Sequence, residues 1–177
     1  MKRWEYLKDP IMRGRHNLAA YYLENVTPKP FGSVVEIGPW ETPVYQHLTD
    51  FEKYNTVVVD PLADDLSYKD EVHTIKGTYQ NSDLSAYTAD DYALVWMGVD
   101  TPIDSEVLIE LVKGSNITVL ETAANWKRAA APLATILAED YTRIYTICFD
   151  FEKNADFIST DGGWPPFLSR IMYIILP

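Results

Sequence analysis

Two acidic residues and one glycine stand at the ends of predicted strands, where they could hold a nucleotide-like cofactor. In SVVEIG, residues 33–38, an apolar run leads to Glu36 and then to Gly38, which lets backbone approach a ligand. YNTVVVD ends in Asp60, whose carboxylate could accept hydrogen bonds from two ribose hydroxyls. Because ligands of open α/β sheets bind at the carboxyl ends of the strands, these residues predict a cofactor site. The alternative is that Gly38 and Pro39 only make a tight turn and that Glu36 caps a nearby helix.

The segment after Gly38 reads as the start of a helix. In TPVYQHLTDF, Thr42 suits the N-cap and Pro43 the first helical position. Such a helix would aim its first N–H groups into the same crevice. A nicotinamide-binding loop would carry a fuller G-x-G-x-x-G, so that reading is the weaker match.

Strand-like and helix-like segments alternate along most of the chain. A loose arm over residues 1–12 precedes a helix over residues 13–26. The predicted strands that follow are SVVEIG, YNTVVVD, VHTIKGTY, DYALVWMGV and NITVLETA. Helices are predicted for PIDSEVLIELVKG, with Gly114 at the C-cap, and for NWKRAAAPLATILAED.

The chain ends with two β-rich runs, YTRIYTICFDFEK and FLSRIMYIILP, without a helix between them. Two such strands must pair antiparallel or insert against the direction of the sheet. The pattern therefore predicts one α/β domain over residues 1–177. Its seven-stranded, mostly parallel sheet would carry helices on both faces and an antiparallel C-terminal strand.

This order of elements, with Glu36-Ile37-Gly38 at the first strand and Asp60 ending the second, resembles the Rossmann-like class I S-adenosylmethionine-dependent methyltransferases over nearly the whole chain. The seventh strand of that family runs antiparallel beside the fifth. The glycine motif E/D-x-G-x-G-x-G is degenerate here, because Trp40 and Thr42 replace its second and third glycines. The resemblance implies S-adenosyl-L-methionine as cofactor, bound by Glu36, Ile37, Gly38, Pro39, Asp60, Pro61, Thr78, Tyr79, Met97 and Gly98.

Two residues are candidates for catalysis at the reacting end. His16, in RGRH, is a candidate general base because an imidazole titrates near neutral pH. Asp100 follows the fourth strand, where the family's loop meets the acceptor. The alternative for His16 is an exposed position on its helix, and His47 and His73 are expected to be structural.

Five residues are candidates for substrate binding: Arg13, Arg15, Glu121, Trp126 and Trp164. The two arginines could clamp a carboxylate or phosphate, or else form a solvated basic turn. Trp126 has the alternative of a core position. Trp164 lies in DGGWPP, which either folds over a ligand or only connects the two final strands.

The resemblance implies methyl transfer from S-adenosylmethionine to an O or N atom of a small-molecule acceptor. The degenerate glycine motif and the lack of an inserted substrate domain leave an alternative open. In that alternative, a catalytically altered or inactive methyltransferase-fold protein acts as a partner or regulatory subunit. The chain would then work with a partner subunit, and a homodimer is also open.

Composition restricts the partners. The formal net charge of -11 disfavours a nucleic-acid backbone as main partner. The N-terminus lacks the apolar core of a signal peptide and no apolar run is long enough to span a membrane, so we expect a cytoplasmic protein without membrane contact. No residue cluster has metal-ligand spacing. The single cysteine, Cys148, lies in an apolar run and is predicted to be buried.

Overall fold

Seven strands form one sheet in the order β3-β2-β1-β4-β5-β7-β6. The computed structural model describes residues 10–39, 42–63, 68, 70–97, 105–123, 138, 143–150 and 169–176. The strands are β1 Ser33–Ile37, β2 Asn55–Asp60, β3 His73–Lys76, β4 Tyr92–Trp96, β5 Ile117–Ala123, β6 Arg143–Asp150 and β7 Ser169–Leu176. The helices are α1 Pro10–Asn25, α2 Ser85–Thr88 and α3 Ser105–Gly114.

The pairing confirms the predicted sheet. Strands β1 to β5 pair in parallel. Strand β7 runs antiparallel between β5 and β6.

Alternate residues of the central strands enter two core layers. One face of the sheet, which includes Val34 and Val58, packs against α1 and the segment after β1. The other face, which includes Val35 and Val57, packs against α3. Because both faces are covered, β1 and β4 are buried at every position, as expected for parallel strands.

Helix α1 covers the first of these faces. It begins at Pro10, three residues earlier than predicted, and a proline fits the first helical turn because its missing N–H has no partner there. Ala19, Ala20 and Leu23 are buried against the sheet. None of the helices in the described part of the chain is long and apolar enough to cross a membrane.

The predicted helix over TPVYQHLTDF is wrong. The segment forms two short 3₁₀ helices, Val44–His47 and Phe51–Lys53. Pro43 precedes the first one in an extended conformation, and no side chain at this N-cap bonds the helix. The carboxylate of Glu36, from β1, accepts the first N–H groups instead.

Gly114 ends α3 as predicted, but for a different reason. Among the described residues Gly38 is the glycine with a positive φ, so Gly114 is not a left-handed cap. A Cβ on Gly114 would lie 2.8 Å from the Tyr92 hydroxyl oxygen. That hydroxyl donates to the Leu111 carbonyl at 2.5 Å, so the glycine makes room for Tyr92.

The prediction of a buried Cys148 is wrong, because its side chain is exposed. Cys148 lies on β6, which is an edge strand of the sheet. The apolar run around it reflects the pairing of β6 with β7 rather than enclosure on both faces. The predicted helix NWKRAAAPLATILAED and the DGGWPP loop lie outside the described residues.

Candidate cofactor and acceptor site

Gly38 makes the turn at the carboxyl end of β1. Its φ of 56° lies in the left-handed region, which favours glycine. The Gly38 N–H donates to the Val59 carbonyl at 2.8 Å, so the loop is held against the tip of β2. A Cβ on Gly38 would meet no atom within 4 Å, so the backbone borders open space that a ligand could enter.

The strand register aligns several predicted site residues at one edge of the sheet. Glu36 lies beside Val58 of β2 and Val95 of β4, and Val95 lies beside Val119 of β5. Two residues after each of these four positions, the chain has Gly38 after β1, Asp60 on β2, Met97 after β4 and Glu121 on β5. Because partners in parallel strands share a face, the side chains of Asp60, Met97 and Glu121 lie on the face covered by α1.

Glu36 is fully buried and is bonded to the loop after β1. Its carboxylate accepts the N–H of Val44 at 2.5 Å and that of Tyr45 at 3.1 Å. Burial raises the pKa of Glu36 to about 8, although the two N–H bonds act in the opposite direction. The capping role left open by the sequence is therefore present in the structure.

Asp60 is a buried carboxylate at the tip of β2. Its Oδ1 accepts the Leu62 N–H at 2.8 Å, and the Tyr68 hydroxyl donates to Oδ2 at 3.4 Å. Burial, followed by the charges of Asp60 and Glu36, raises the pKa of Tyr68 above its ordinary value. A carboxylate offers about four lone-pair directions, so Asp60 keeps the chemical capacity to accept further hydrogen bonds.

Arg15 on α1 and Glu121 on β5 form a buried ion pair through Nη1 and Oε1. The pair neutralises Glu121 at the end of β5 and ties α1 to the carboxyl edge of the sheet. A solvated basic turn, the alternative for Arg15, is wrong because the side chain is only 3% exposed.

His16 is also buried, so its alternative as an exposed helix residue is wrong. Its ring stacks on His47, with centroids 5.8 Å apart and planes 26° apart. His47 Nδ1 lies 2.6 Å from Asn17 Oδ1. His73 is different: it is exposed on β3 and stacks on Tyr87.

The remaining predicted cofactor residues lie around the same edge. Ile37 packs in the core layer opposite α1, and Pro39 is buried beside Gly38. Thr78 and Pro61 are exposed, whereas Tyr79 is buried with its ring 5.2 Å from that of Trp96. Gly98, Asp100, Trp126, Trp164 and the side chain of Arg13 lie outside what the structure describes.

Sequence reasoning missed Tyr68, Asn17 and the involvement of His47. Tyr68 is the single aromatic residue in the acidic stretch PLADDLSYKDE, which was the available signal. Asn17 follows the predicted base His16 directly, but nothing local relates it to His47. Within the described ranges, no three His, Cys, Asp or Glu side chains could hold a metal ion.

No protein-family model matches the chain, and no curated protein does. Solved structures do match. The plantazolicin methyltransferase BpumL, in complex with a triazolic desmethylPZN analog and SAH, is 10% identical with a TM-score of 0.56, over 98% of this chain and 88% of that one. The N-methyltransferase NodS from Bradyrhizobium japonicum WM9, in complex with S-adenosyl-L-homocysteine, is 12% identical with a TM-score of 0.56, over 98% and 90%.

A chain of the fibrillarin/Nop5p complex is 13% identical with a TM-score of 0.50, over 92% of this chain and 81% of that one. At sequence identities this low, the structural similarity is evidence for a shared fold only. Together with the strand order and the antiparallel β7, it shows that this chain has the Rossmann-like fold of the class I S-adenosylmethionine-dependent methyltransferases.

Proposed function

We propose that the protein transfers a methyl group from S-adenosylmethionine to an O or N atom of a small-molecule acceptor. The observation that carries this proposal is the buried carboxylate of Asp60 beside the open backbone of Gly38, at the carboxyl edge of the sheet. Structures of similar fold, BpumL and NodS, were crystallised with the demethylated product of this cofactor.

The residues present fit the cofactor. Asp60 would accept hydrogen bonds from the two ribose hydroxyls. The left-handed turn at Gly38 would let the amino-acid end pass close to backbone. Glu36 would act through the loop, by holding the N–H groups of Val44 and Tyr45 in place. When bound, S-adenosylmethionine supplies an electrophilic methyl group on a sulfonium.

Along the sheet, Asp60 on β2 lies on one side of Gly38, and the acceptor would bind on the opposite side. Along the sheet, β4 and β5 lie on that side, and Met97 and Glu121 come at their carboxyl ends. Helix α1 lies over this region, since Arg15 reaches Glu121. A site roofed by a helix favours a small acceptor and exclusion of bulk water, and positioning is the main contribution that such a site makes. Asp100, Trp126 and Trp164 remain predictions for the same side.

Calorimetric titration with S-adenosylhomocysteine and S-adenosylmethionine tests the proposal. We expect both ligands to bind the wild-type protein and Asp60→Asn to weaken binding by about 100-fold, because hydrogen bonds to a charged group contribute about 1.5–3 kcal/mol each. Asn keeps an acceptor oxygen for the Leu62 N–H, so the fold should persist.

Asp90→Asn, which changes an exposed carboxylate, is the matched control and should bind like wild type. The proposal fails if neither ligand releases heat or raises the melting temperature at millimolar concentration, since a specific ligand must stabilise the folded state.

A further inference from the structure

His16 and His47 lie on the α1 side of the sheet, and their rings stack on each other. His16 follows Arg15, whose partner Glu121 lies on β5 at the level of Gly38. His47 ends the 3₁₀ helix whose first N–H groups are held by Glu36. The stacked rings therefore join α1 to the loop that follows β1, above the carboxyl edge of the sheet.

The contact with Asn17 determines the tautomer of His47. An amide oxygen only accepts hydrogen bonds, so the 2.6 Å contact requires a proton on His47 Nδ1. In the neutral ring the lone pair is then on Nε2. A ring held by one hydrogen bond and one stacking contact has a defined orientation, which is what a positioning residue needs.

From this arrangement we infer that His16 is the proton acceptor of the methyl-transfer site and that His47, fixed by Asn17, positions it. The inference rests on the proposed function and narrows its substrate to an acceptor whose O–H or N–H gives up a proton near neutral pH. The lone pair of that O or N forms the bond to the methyl carbon while the methyl–sulfur bond breaks, and its electron pair stays on sulfur. The proton passes to an imidazole nitrogen of His16 and then to water.

The stacking also couples the protonation of the two rings. Two imidazolium charges 5.8 Å apart repel, which lowers the pKa of the second ring to protonate by about one unit. Among the described residues, the ionisable groups on the elements that pack around the pair include Arg15 and Glu24 on α1, Glu36 on β1, Glu121 on β5, and Glu52 and Lys53 on the second 3₁₀ helix. Arg15 and Glu121 neutralise each other, and Glu24 bonds Thr49.

Histidine NMR tests the inference without knowledge of the acceptor. The chain has three histidines, so variants His16→Gln, His47→Gln and His73→Gln assign every side-chain signal. We expect the 15N shifts of His47 to show an Nδ1–H tautomer, and His47→Gln to raise the pKa of His16 by about one unit. The signals of exposed His73 are the internal control and should be the same in wild type and in the His16 and His47 variants.

Sinefungin, which carries an ammonium group where S-adenosylmethionine carries its methyl, then probes the distance to the reacting atom. Relative to the complex with uncharged S-adenosylhomocysteine, it should lower the pKa of His16 by about one unit and leave His73 unchanged. If both ligands bind and the His16 titration is the same in the two complexes, the assignment of His16 is overturned while the proposed function stands. If neither ligand binds, the assignment of His16 and the proposed function are both wrong.

Asn17 is exposed, so its variants provide a test that does not depend on buried substitutions. Asn17→Asp keeps the acceptor oxygen and adds a negative charge, which should raise the pKa of His47 and preserve its tautomer. Asn17→Ala should abolish the single tautomer. A His47 signal that is unchanged in both variants would overturn the positioning role.

Discussion

Glu36 and Asp60 are both buried acids at strand ends, but their partners give them different roles. Glu36 is bonded to backbone N–H groups of its own loop, and burial raises its pKa to about 8. Asp60, at the tip of β2, accepts the Leu62 N–H and the Tyr68 hydroxyl. We therefore expect Glu36 to affect stability first and Asp60 to affect ligand binding first.

Glu36 should make the folded protein less stable as the pH rises. Its pKa in the folded state, about 8, lies above the ordinary carboxyl value of 4.5. Between these values the unfolded chain releases the proton that the folded chain keeps, so stability falls with pH by up to about 1.4 kcal/mol per pH unit. Glu36→Gln removes this titration.

Denaturant unfolding at pH 5 and pH 8 measures the effect. The stability of Glu36→Gln relative to wild type should increase from pH 5 to pH 8, whereas the exposed control Glu106→Gln should follow wild type. A stability difference between Glu36→Gln and wild type that does not change with pH would contradict the prediction.

At the scale of elements, α1 matters because it is the roof of the proposed acceptor site. Apolar residues such as Ala19 and Leu23 attach its C-terminal half to the sheet, and polar contacts add to this attachment. Arg15 bonds β5, Asn17 bonds His47, and Glu24 bonds Thr49. The helix is thus joined both to β5 and to the segment that follows β1.

The ion pair between Arg15 and Glu121 should show strong coupling. Arg15→Met or Glu121→Met alone leaves a buried charge without its partner, which costs about 3–5 kcal/mol. The double variant removes both charges and should be more stable than either single variant. Unfolding of all four proteins by denaturant gives the coupling energy.

The exposed pair of Lys53 and Asp50, with nitrogen and oxygen 3.9 Å apart, is the matched control. Its two single variants and its double variant should unfold like wild type, since exposed ion pairs contribute little. Additive effects of the Arg15 and Glu121 variants would show that the buried pair does not act as a unit.

Gly114 is required by a neighbour rather than by its backbone angle. Gly114→Ala should cost about 1–3 kcal/mol, because its Cβ would lie 2.8 Å from the Tyr92 hydroxyl oxygen. In a Tyr92→Phe background the same change should cost less, since the clashing oxygen is gone. Gly14 is an exposed residue of α1, and a Cβ there would meet nothing within 4 Å. Gly14→Ala should therefore stabilise the folded protein by about 0.5–1 kcal/mol. Equal costs of Gly114→Ala in both backgrounds, measured by thermal unfolding, would refute this explanation.

At the scale of the whole molecule, the strands of the sheet are protected very unequally. Strands β1 and β4 lie inside the sheet and are buried at every position. Strand β3 is an edge strand with three exposed residues of four, and β6 is the opposite edge. The proposed site is at the ends of β2, β1, β4 and β5, so it is built on the most protected part of the sheet.

Amide hydrogen exchange should follow this order. The amides of β1 and β4 should exchange most slowly, at the rate of global unfolding, and those of β3 and β6 should exchange fastest among the strands. Mass spectrometry of peptides from each strand provides the measurement. Faster exchange in β4 than in β3 would be inconsistent with the strand order.

Much of the fold could be predicted from sequence, because local patterns report local structure. Continuous apolar runs placed β1, β2, β4 and β5, and the absence of a helix before β7 predicted its antiparallel direction. Gly38 was identified as a turn residue by its position after the strand. Its positive φ confirms that only a residue without a Cβ fits easily there.

What the sequence alone determined is therefore the succession of strands along the chain and the strand ends that carry the acids and the glycine, because each depends on residues that are neighbours in the chain. The tertiary structure decided how the polar groups are paired. Arg15 and Glu121 are 106 positions apart, and Glu36 bonds amides from a segment predicted as an α-helix. Cys148 is exposed because its strand is at an edge. Such contacts depend on the register and approach of distant segments, which hydrophobic periodicity does not encode.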